Sequence, residues 1–365
     1  PLTEGLSQKT IFKLVQKVFE KEDFINQHSD YFEDLYKKRN LPSLFEALKL
    51  IHKPSNKFEK KIFDERKSIF HQRLIYDELL AHQFFFRGQY HVNKSYRARP
   101  IKYSDDIQKS FLSNLEFKLT KKQHSVFSEI KNDLKQTYPM NRLLQGDVGS
   151  GKTVVATMAA IQVINSGYQV AFMAPTEILA MQHYEKLSSW LTNLGIRVEL
   201  LIGSMGSKLK AESYERIKKG TANLVVGTHA LIQEKVEFKF LGFYIIDEQH
   251  RFGVKQRFAL RKNNESFKNF EPHQLMMSAT PIPRTLAMSY FSDMDISIIN
   301  ELLPGRKSVT TKLFSNERRN EILNTINQHC LKNNQVYWVC PLIEESETLQ
   351  LETAKKTFKI LSNYF

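Results

Sequence analysis

One octapeptide limits what this chain can fold into more than any other stretch: Gly-Asp-Val-Gly-Ser-Gly-Lys-Thr at residues 146–153. It fills every fixed position of the pattern G-x-x-x-x-G-K-[ST]. The apolar run at 140–144 before it reads as a strand, and residues 154–164 after it read as a helix. In that setting the glycines let the backbone curl so that successive N–H groups point into one hollow, with the positive end of a helix behind them. Lys152 adds a full charge for β- and γ-phosphates, and Thr153 adds a hydroxyl for Mg²⁺. The spacing therefore predicts a phosphate cradle made by Gly146, Asp147, Gly149, Ser150, Gly151, Lys152 and Thr153, with ATP and Mg²⁺ as its cofactors. A glycine-rich turn could carry Lys-Thr by chance, but a strand before it and a helix after it set that alternative aside.

The pattern around the octapeptide predicts the rest of the sheet. Short apolar runs at 170–174, 198–202, 224–227, 243–247 and 275–278 read as buried parallel strands, with helices at 178–194 and 208–218 between them. Such alternation predicts a doubly wound α/β sheet with ligands at its carboxyl edge. Residues 1–115 read as mainly helical, with helices at 10–19, 41–51 and 65–86. In the last of these Ile69, Phe70, Leu74, Ile75, Leu79, Leu80 and Phe84 recur at helical spacing as a packing stripe, and Gly88 offers a stop. Arg87, Lys94, Arg97, Arg99 and Lys102, near Tyr90 and Tyr96, could hold phosphates or could be a solvated connector, and the two readings stand even. Pro304-Gly305 reads as a linker into a second, partial α/β unit: strand 309–314, helix 317–332, strand 336–342 and helix 354–365. The expected domains are thus 1–115, 116–305 and 306–365.

Charge narrows the partners. Lys and Arg number 53 against 39 Asp and Glu, a formal net charge of +14. Such a surface attracts polyanions, nucleic acid above all, by counterion release. A membrane partner is not expected, because no apolar run is long enough to span a bilayer and there is no signal peptide. Cys330 and Cys340 lack metal-ligand spacing and read as reduced cytoplasmic thiols in or near a core.

A second element of chemistry follows the 243–246 run: Asp247-Glu248-Gln249-His250. Asp247 suits a carboxylate that holds Mg²⁺, mostly through water, and Glu248 suits the group that orients and deprotonates an attacking water. An acidic loop after a strand is common, and only the octapeptide makes this one functional. No arginine up to residue 305 offers itself as the finger that phosphoryl transfer usually needs.

These residues resemble the superfamily 2 helicases and translocases. Asp-Glu-x-His after one strand and Ser278-Ala279-Thr280 after a later one follow the superfamily's pattern; Pro175-Thr176-Glu177 and Gly227-Thr228-His229 stand where it carries its strand-gripping motifs, and Leu119-Thr120-Lys121-Lys122-Gln123 is similar to its Q motif. Longer strings resemble the RecG family of branched-DNA helicases: Met-Asn-Arg-Leu-Leu-Gln running into the octapeptide from 140, Asp-Glu-Gln-His-Arg-Phe-Gly-Val at 247–254, and Met-Ser-Ala-Thr-Pro-Ile-Pro-Arg-Thr-Leu-Ala at 277–287. The opening at 2–10 is similar to the segment after that family's wedge domain. The resemblance implies RecA-like domains and an ATP-dependent helicase that acts on forks and recombination junctions in DNA repair. It also implies a monomer in the cytoplasm at the nucleoid, with single-strand-binding protein as a further partner. It gives Gln123 the adenine, Lys152, Asp247 and Glu248 the catalysis, and His250, Ser278 and Thr280 the coupling of nucleotide state to movement. Thr176 and Thr228 would touch the DNA backbone. The family's wedge is expected before Pro1 and its arginine fingers after residue 365, with 336–347 similar to motif IV, so this stretch is expected to bind nucleotide weakly and to hydrolyse it slowly if at all. The alternatives are a transcription-repair coupling or primosomal translocase, whose engine is shared, and a nucleic-acid-binding module with an inactive nucleotide site. The coupling factor carries Gln where His250 stands, and intact Lys152, Thr153, Asp247 and Glu248 speak against inactivity. An RNA helicase is disfavoured only by the family likeness around Asp247.

Overall fold

The computed structural model describes residues 7–20, 30, 32–53, 65–233, 235–248, 270–280, 294–301, 309–340 and 354–364. The chain divides into two units, 1–304 and 305–365. The first is built on seven strands: β1 Asn141–Gly146, β2 Gln169–Met173, β3 Val198–Leu201, β4 Leu224–Gly227, β5 Leu241–Ile246, β6 His273–Ser278 and β7 Asp295–Ile299. Their order is β3-β4-β2-β5-β6-β1-β7 and every pairing is parallel. The six expected strands are present, and β7 is an additional one. It lies at the edge beside β1, where only Ser297 and Ile299 are fully buried, so its sequence lacks the continuous apolar run of a central strand.

Alternation along each strand sorts side chains onto the two faces. Leu144, Val170, Phe172, Ile245, Leu275 and Met277 enter one apolar core, and Leu143, Ala171, Met173, Tyr244, Ile246 and Met276 enter the other. Helices α5 Asp105–Ser113, α6 Lys121–Leu134, α7 Lys152–Asn165 and α8 Glu177–Leu191 cover the first face through Phe111, Ile130, Val155 and Leu187. Helix α9 Ser207–Lys219 meets the second through Ile217. Each such fully buried side chain contributes about 1.5–3 kcal/mol. The first core extends upstream to Ile101 and Phe111, with Phe111 edge-on to Trp190 of α8 at 6.1 Å.

The segment before α5 is sewn onto the sheet. Ala98 N–H donates to Thr137 O, Ile101 N–H to Leu134 O and Glu271 N–H to Arg97 O, at 2.8, 2.8 and 2.7 Å. In the stretch 87–102, Lys94 lies over the Tyr90 ring at 4.3 Å and Arg99 over Phe270 at 3.9 Å.

Upstream are α1 Gln8–Phe19, α2 Glu33–Lys38, α3 Leu44–His52 and α4 Ile69–Ser95. Two expectations fail on α4, the second in part. It runs through Gly88 to Ser95, because one interior glycine costs only about 1 kcal/mol and the chain turns extended only at Tyr96. Its apolar stripe packs only in part: Phe70 is buried and Leu74 and Leu80 are half-buried, while Ile69, Ile75, Leu79 and Phe84 are exposed. The helix also buries a charge. Arg73 is 1% exposed, its guanidinium 3.5 Å from the Tyr36 ring centroid, donating to Asp30 at 2.7 Å and Pro42 O at 3.0 Å and paired with Asp77. The helix is rotated to satisfy that cation, since a buried charge left unpaired costs more than exposed leucine.

In the second unit, α10 Arg319–Leu331 and α11 Ala354–Tyr364 are helical as expected, and Tyr364 Oη donates to Asn324 at 2.6 Å. Residues 309–314 and 336–340 form no strand; Val309, Leu313, Tyr337 and Val339 are exposed, and among the described residues no ladder takes their backbone groups. Cys330 is exposed rather than in a core, and Cys340 is half-buried. Among the described residues no helix is long and apolar enough to cross a membrane.

Candidate nucleotide-binding site

Parallel strands deliver whatever follows them to one edge. The registers Gln145↔Ser278, Ile246↔Met276 and Met173↔Ile246 set the carboxyl ends of β1, β6, β5 and β2 side by side. The octapeptide follows β1, Ser278 to Thr280 end β6, and Asp247 and Glu248 follow β5.

The octapeptide forms a curled loop into α7. Gly149 and Gly151 have φ of 77° and 88°, the left-handed region that glycine enters without steric cost. A Cβ on Gly151 would lie 2.1 Å from Gln123 Nε2. Lys152, the first residue of α7, folds back and donates to Gly146 O at 2.7 Å and Asp147 O at 3.0 Å. Burial pulls its ammonium below the usual lysine range, while the charges of Asp247, Glu248 and Asp147 hold it up. Lys152 and the acidic pair therefore share one electrostatic neighbourhood across the intervening β6. Asp147 accepts from Val148 N–H at 2.7 Å, and Thr153 is half-buried in the first turn of α7. The Ser150 hydroxyl is buried with no hydrogen-bond partner among the described residues.

Gln123 locks the loop from outside. Thr120 and Gln123 form a reciprocal cap on α6, Thr120 N–H donating to Gln123 Oε1 at 2.8 Å, while Gln123 Nε2 donates to Ser150 O at 2.8 Å. Its amide thus already binds at both ends.

On the acidic side, Asp247 N–H donates to Met173 O at 2.8 Å, and Glu248 N–H donates to Asp247 Oδ1 at 3.0 Å. Glu248 has φ of 50°, a left-handed conformation costly for a residue with a Cβ and typical of functional turns. Between the two sides, Ser278 Oγ and Thr280 Oγ1 are 2.8 Å apart, and Gln145 Nε2 donates to Thr280 O at 3.2 Å. His250 lies outside the described residues. Thr176 caps α8, accepting from Leu179 N–H at 3.3 Å. Thr228 follows β4; its side chain is buried, with its hydroxyl unpartnered among the described residues.

Sequence reasoning missed two residues. His183 of α8 places Nε2 2.9 Å from Asp247 Oδ2, and Gln145 ties the end of β1 to Thr280. Only the position of His183 two turns after Thr176 could have flagged it.

A phosphate fits here: a buried unpartnered hydroxyl, left-handed glycines and a lysine aimed at its own loop make a hollow for an anion. Magnesium fits with it. Among the described residues no group of three or more His, Cys, Asp or Glu could hold a metal. An ion held by Thr153, by Asp247 through water and by phosphate oxygens needs no such group.

The DEAD/DEAH box helicase family model matches residues 120–289. The chain is 45% identical over 99% of its length to the ATP-dependent DNA helicase RecG of Haemophilus influenzae, and 44% identical over 98% to that of Aquifex aeolicus. Over nearly its whole length this chain is similar to the RecG family. It spans about half the length of these curated RecG relatives, 52% and 45%. A solved structure of RecG bound to a three-way DNA junction superposes with a TM-score of 0.75 at 36% identity, covering 100% of this chain and 46% of that one. The parallel sheet and its flanking helices are thus the RecA-like fold of RecG.

Proposed function

We propose that this chain is the ATP-binding half of an ATP-dependent DNA helicase of the RecG type that remodels branched DNA. The observation that carries this is the convergence of Lys152 with Asp247 and Glu248 on one sheet edge. The loop amides and Lys152 bind the triphosphate, and Gly151 lets the backbone pass close to it. Bound Mg²⁺, held by Thr153 and Asp247, supplies positive charge to the phosphates. Glu248 orients the attacking water and takes its proton. Ser278 and Thr280, lying between the two sides, report the nucleotide's state to the rest of the motor together with His250. Gln123 joins the adenine side to the loop it already grips. Thr176 and Thr228 mark the DNA side of the same edge, where contacts to phosphate would position without reading sequence. The division into a helical region to 115, a motor domain to 305 and the start of a second motor domain belongs to the same proposal. So do forked DNA and single-strand-binding protein as partners, a monomeric state and a cytoplasmic place at the nucleoid.

Fluorescent mant-ATP tests the site. The chain should bind it, and Lys152→Ala should weaken binding about tenfold or more, the loss of a charge-assisted contact to phosphate. Equal binding by the variant would remove the nucleotide from this edge. Greater ATP turnover on forks than on plain duplex, measured on the whole protein, separates this function from that of the coupling translocase.

A further inference from the structure

Asp247 is tied down on three sides. Its backbone N–H donates to Met173 O, its Oδ1 accepts from Glu248 N–H, and its Oδ2 lies 2.9 Å from His183 Nε2. A carboxylate only accepts, so Nε2 carries the proton. The His183 ring is itself held against Phe172 of β2, centroids 4.6 Å apart, and the two polar side chains are 12% and 13% exposed. The first two ties fix where Asp247 starts; the third fixes which way its second oxygen points. A hydrated metal ion is bound through oriented lone pairs, so the partner that orients the carboxylate tunes the ion's affinity. Imidazole suits the task better than arginine. It donates one hydrogen bond without a permanent positive charge beside a site meant for a divalent cation, where Lys152 already stands.

We propose that His183 is a positioning residue for Asp247, donating from Nε2 to hold the carboxylate in the orientation that binds magnesium with nucleotide; this role rests on the proposed function. It acts through Asp247 and touches neither phosphate nor water.

Two measurements on the chain test it: manganese binding with ADP present, read from the electron paramagnetic resonance signal of free Mn²⁺, and mant-ADP binding in EDTA. His183→Ala and His183→Asn, whose amide is too short to reach, should weaken Mn²⁺ about tenfold while leaving mant-ADP in EDTA within about twofold. His183→Gln, which puts an amide nitrogen where Nε2 stood, should restore Mn²⁺ affinity. A merely structural role would lower the melting temperature and both affinities together, without rescue by glutamine, and would overturn the proposal. Wild-type Mn²⁺ affinity in the asparagine variant would overturn it as well. If the alanine variant does not fold, the asparagine and glutamine variants decide it, and equal titrations sink the role. A wild-type chain that binds no mant-ADP would instead overturn the nucleotide site itself, a failure visible before any variant is made.

Discussion

At the scale of single residues the site is held by contacts that leave little slack. Gly151 has a positive φ and no room for a methyl group beside the Gln123 amide. Gly151→Ala should therefore cost at least about 1–2 kcal/mol from backbone conformation alone, with displacement of Gln123 added. The expected outcome is a lower melting temperature together with lost mant-ATP binding, because the loop moves off the Gln123 amide that grips it at Ser150 O. A variant that melts and binds like the wild type would show that the loop does not need the left-handed turn. Residues of this kind were legible in the sequence, since the spacing of Gly149, Gly151 and Lys152 is itself the geometry. His183 was not. Its partner, Asp247, is 64 positions away, and nothing in a helix of mixed polarity marks one histidine as facing a strand end.

At the scale of elements, strands meet the upstream segment through polar joints that only folding creates. His273, the first residue of β6, is 1% exposed; its Nδ1 accepts from Met140 N–H at 3.0 Å and its Nε2 donates to Arg99 O at 3.0 Å. Accepting at Nδ1 requires the neutral ring, and burial pushes its pKa down to about 4 against the opposing pull of the bond to Arg99 O. The folded value lies below the unfolded one of about 6.5, so the unfolded chain takes up a proton first as pH falls. The stability this joint provides is present above about pH 6.5 and is lost on the way down to about pH 4, up to about 3 kcal/mol. Urea midpoints between pH 7 and pH 4 should fall more steeply for the wild type than for His273→Leu; parallel slopes would mean that the ring takes up its proton as readily folded as unfolded. Element patterns were legible where burial is complete, as in β2, β4 and β5, whose apolar runs stand out. They were illegible at β7, a half-covered edge strand, and on α4, where a buried arginine overrides part of the apolar stripe.

At the scale of the whole molecule, both apolar cores draw their members from Ile101 to Ile299, within the first unit. Among the described residues neither core takes a member from beyond Pro304. A chain ending at residue 304 should fold with a melting temperature within a few degrees of the full chain and bind mant-ATP within about twofold, since it keeps every described member of both cores. Loss of the cooperative melt would show that the second unit completes the first. The net charge of +14 belongs to this scale as well, because it would act on a polyanion as a summed field and not through any one lysine.

The order of residues by itself determined the phosphate loop, the acidic pair and the parallel α/β class, because those depend on spacings of a few residues along one strand-turn-helix or strand-turn segment. Only the tertiary structure decided that Lys152 and Asp247 share an edge, that Gln123 grips the loop, that His183 orients the carboxylate and that α4 turns its charge inward. Those are relations between positions tens of residues apart, and they come into being only when the chain folds.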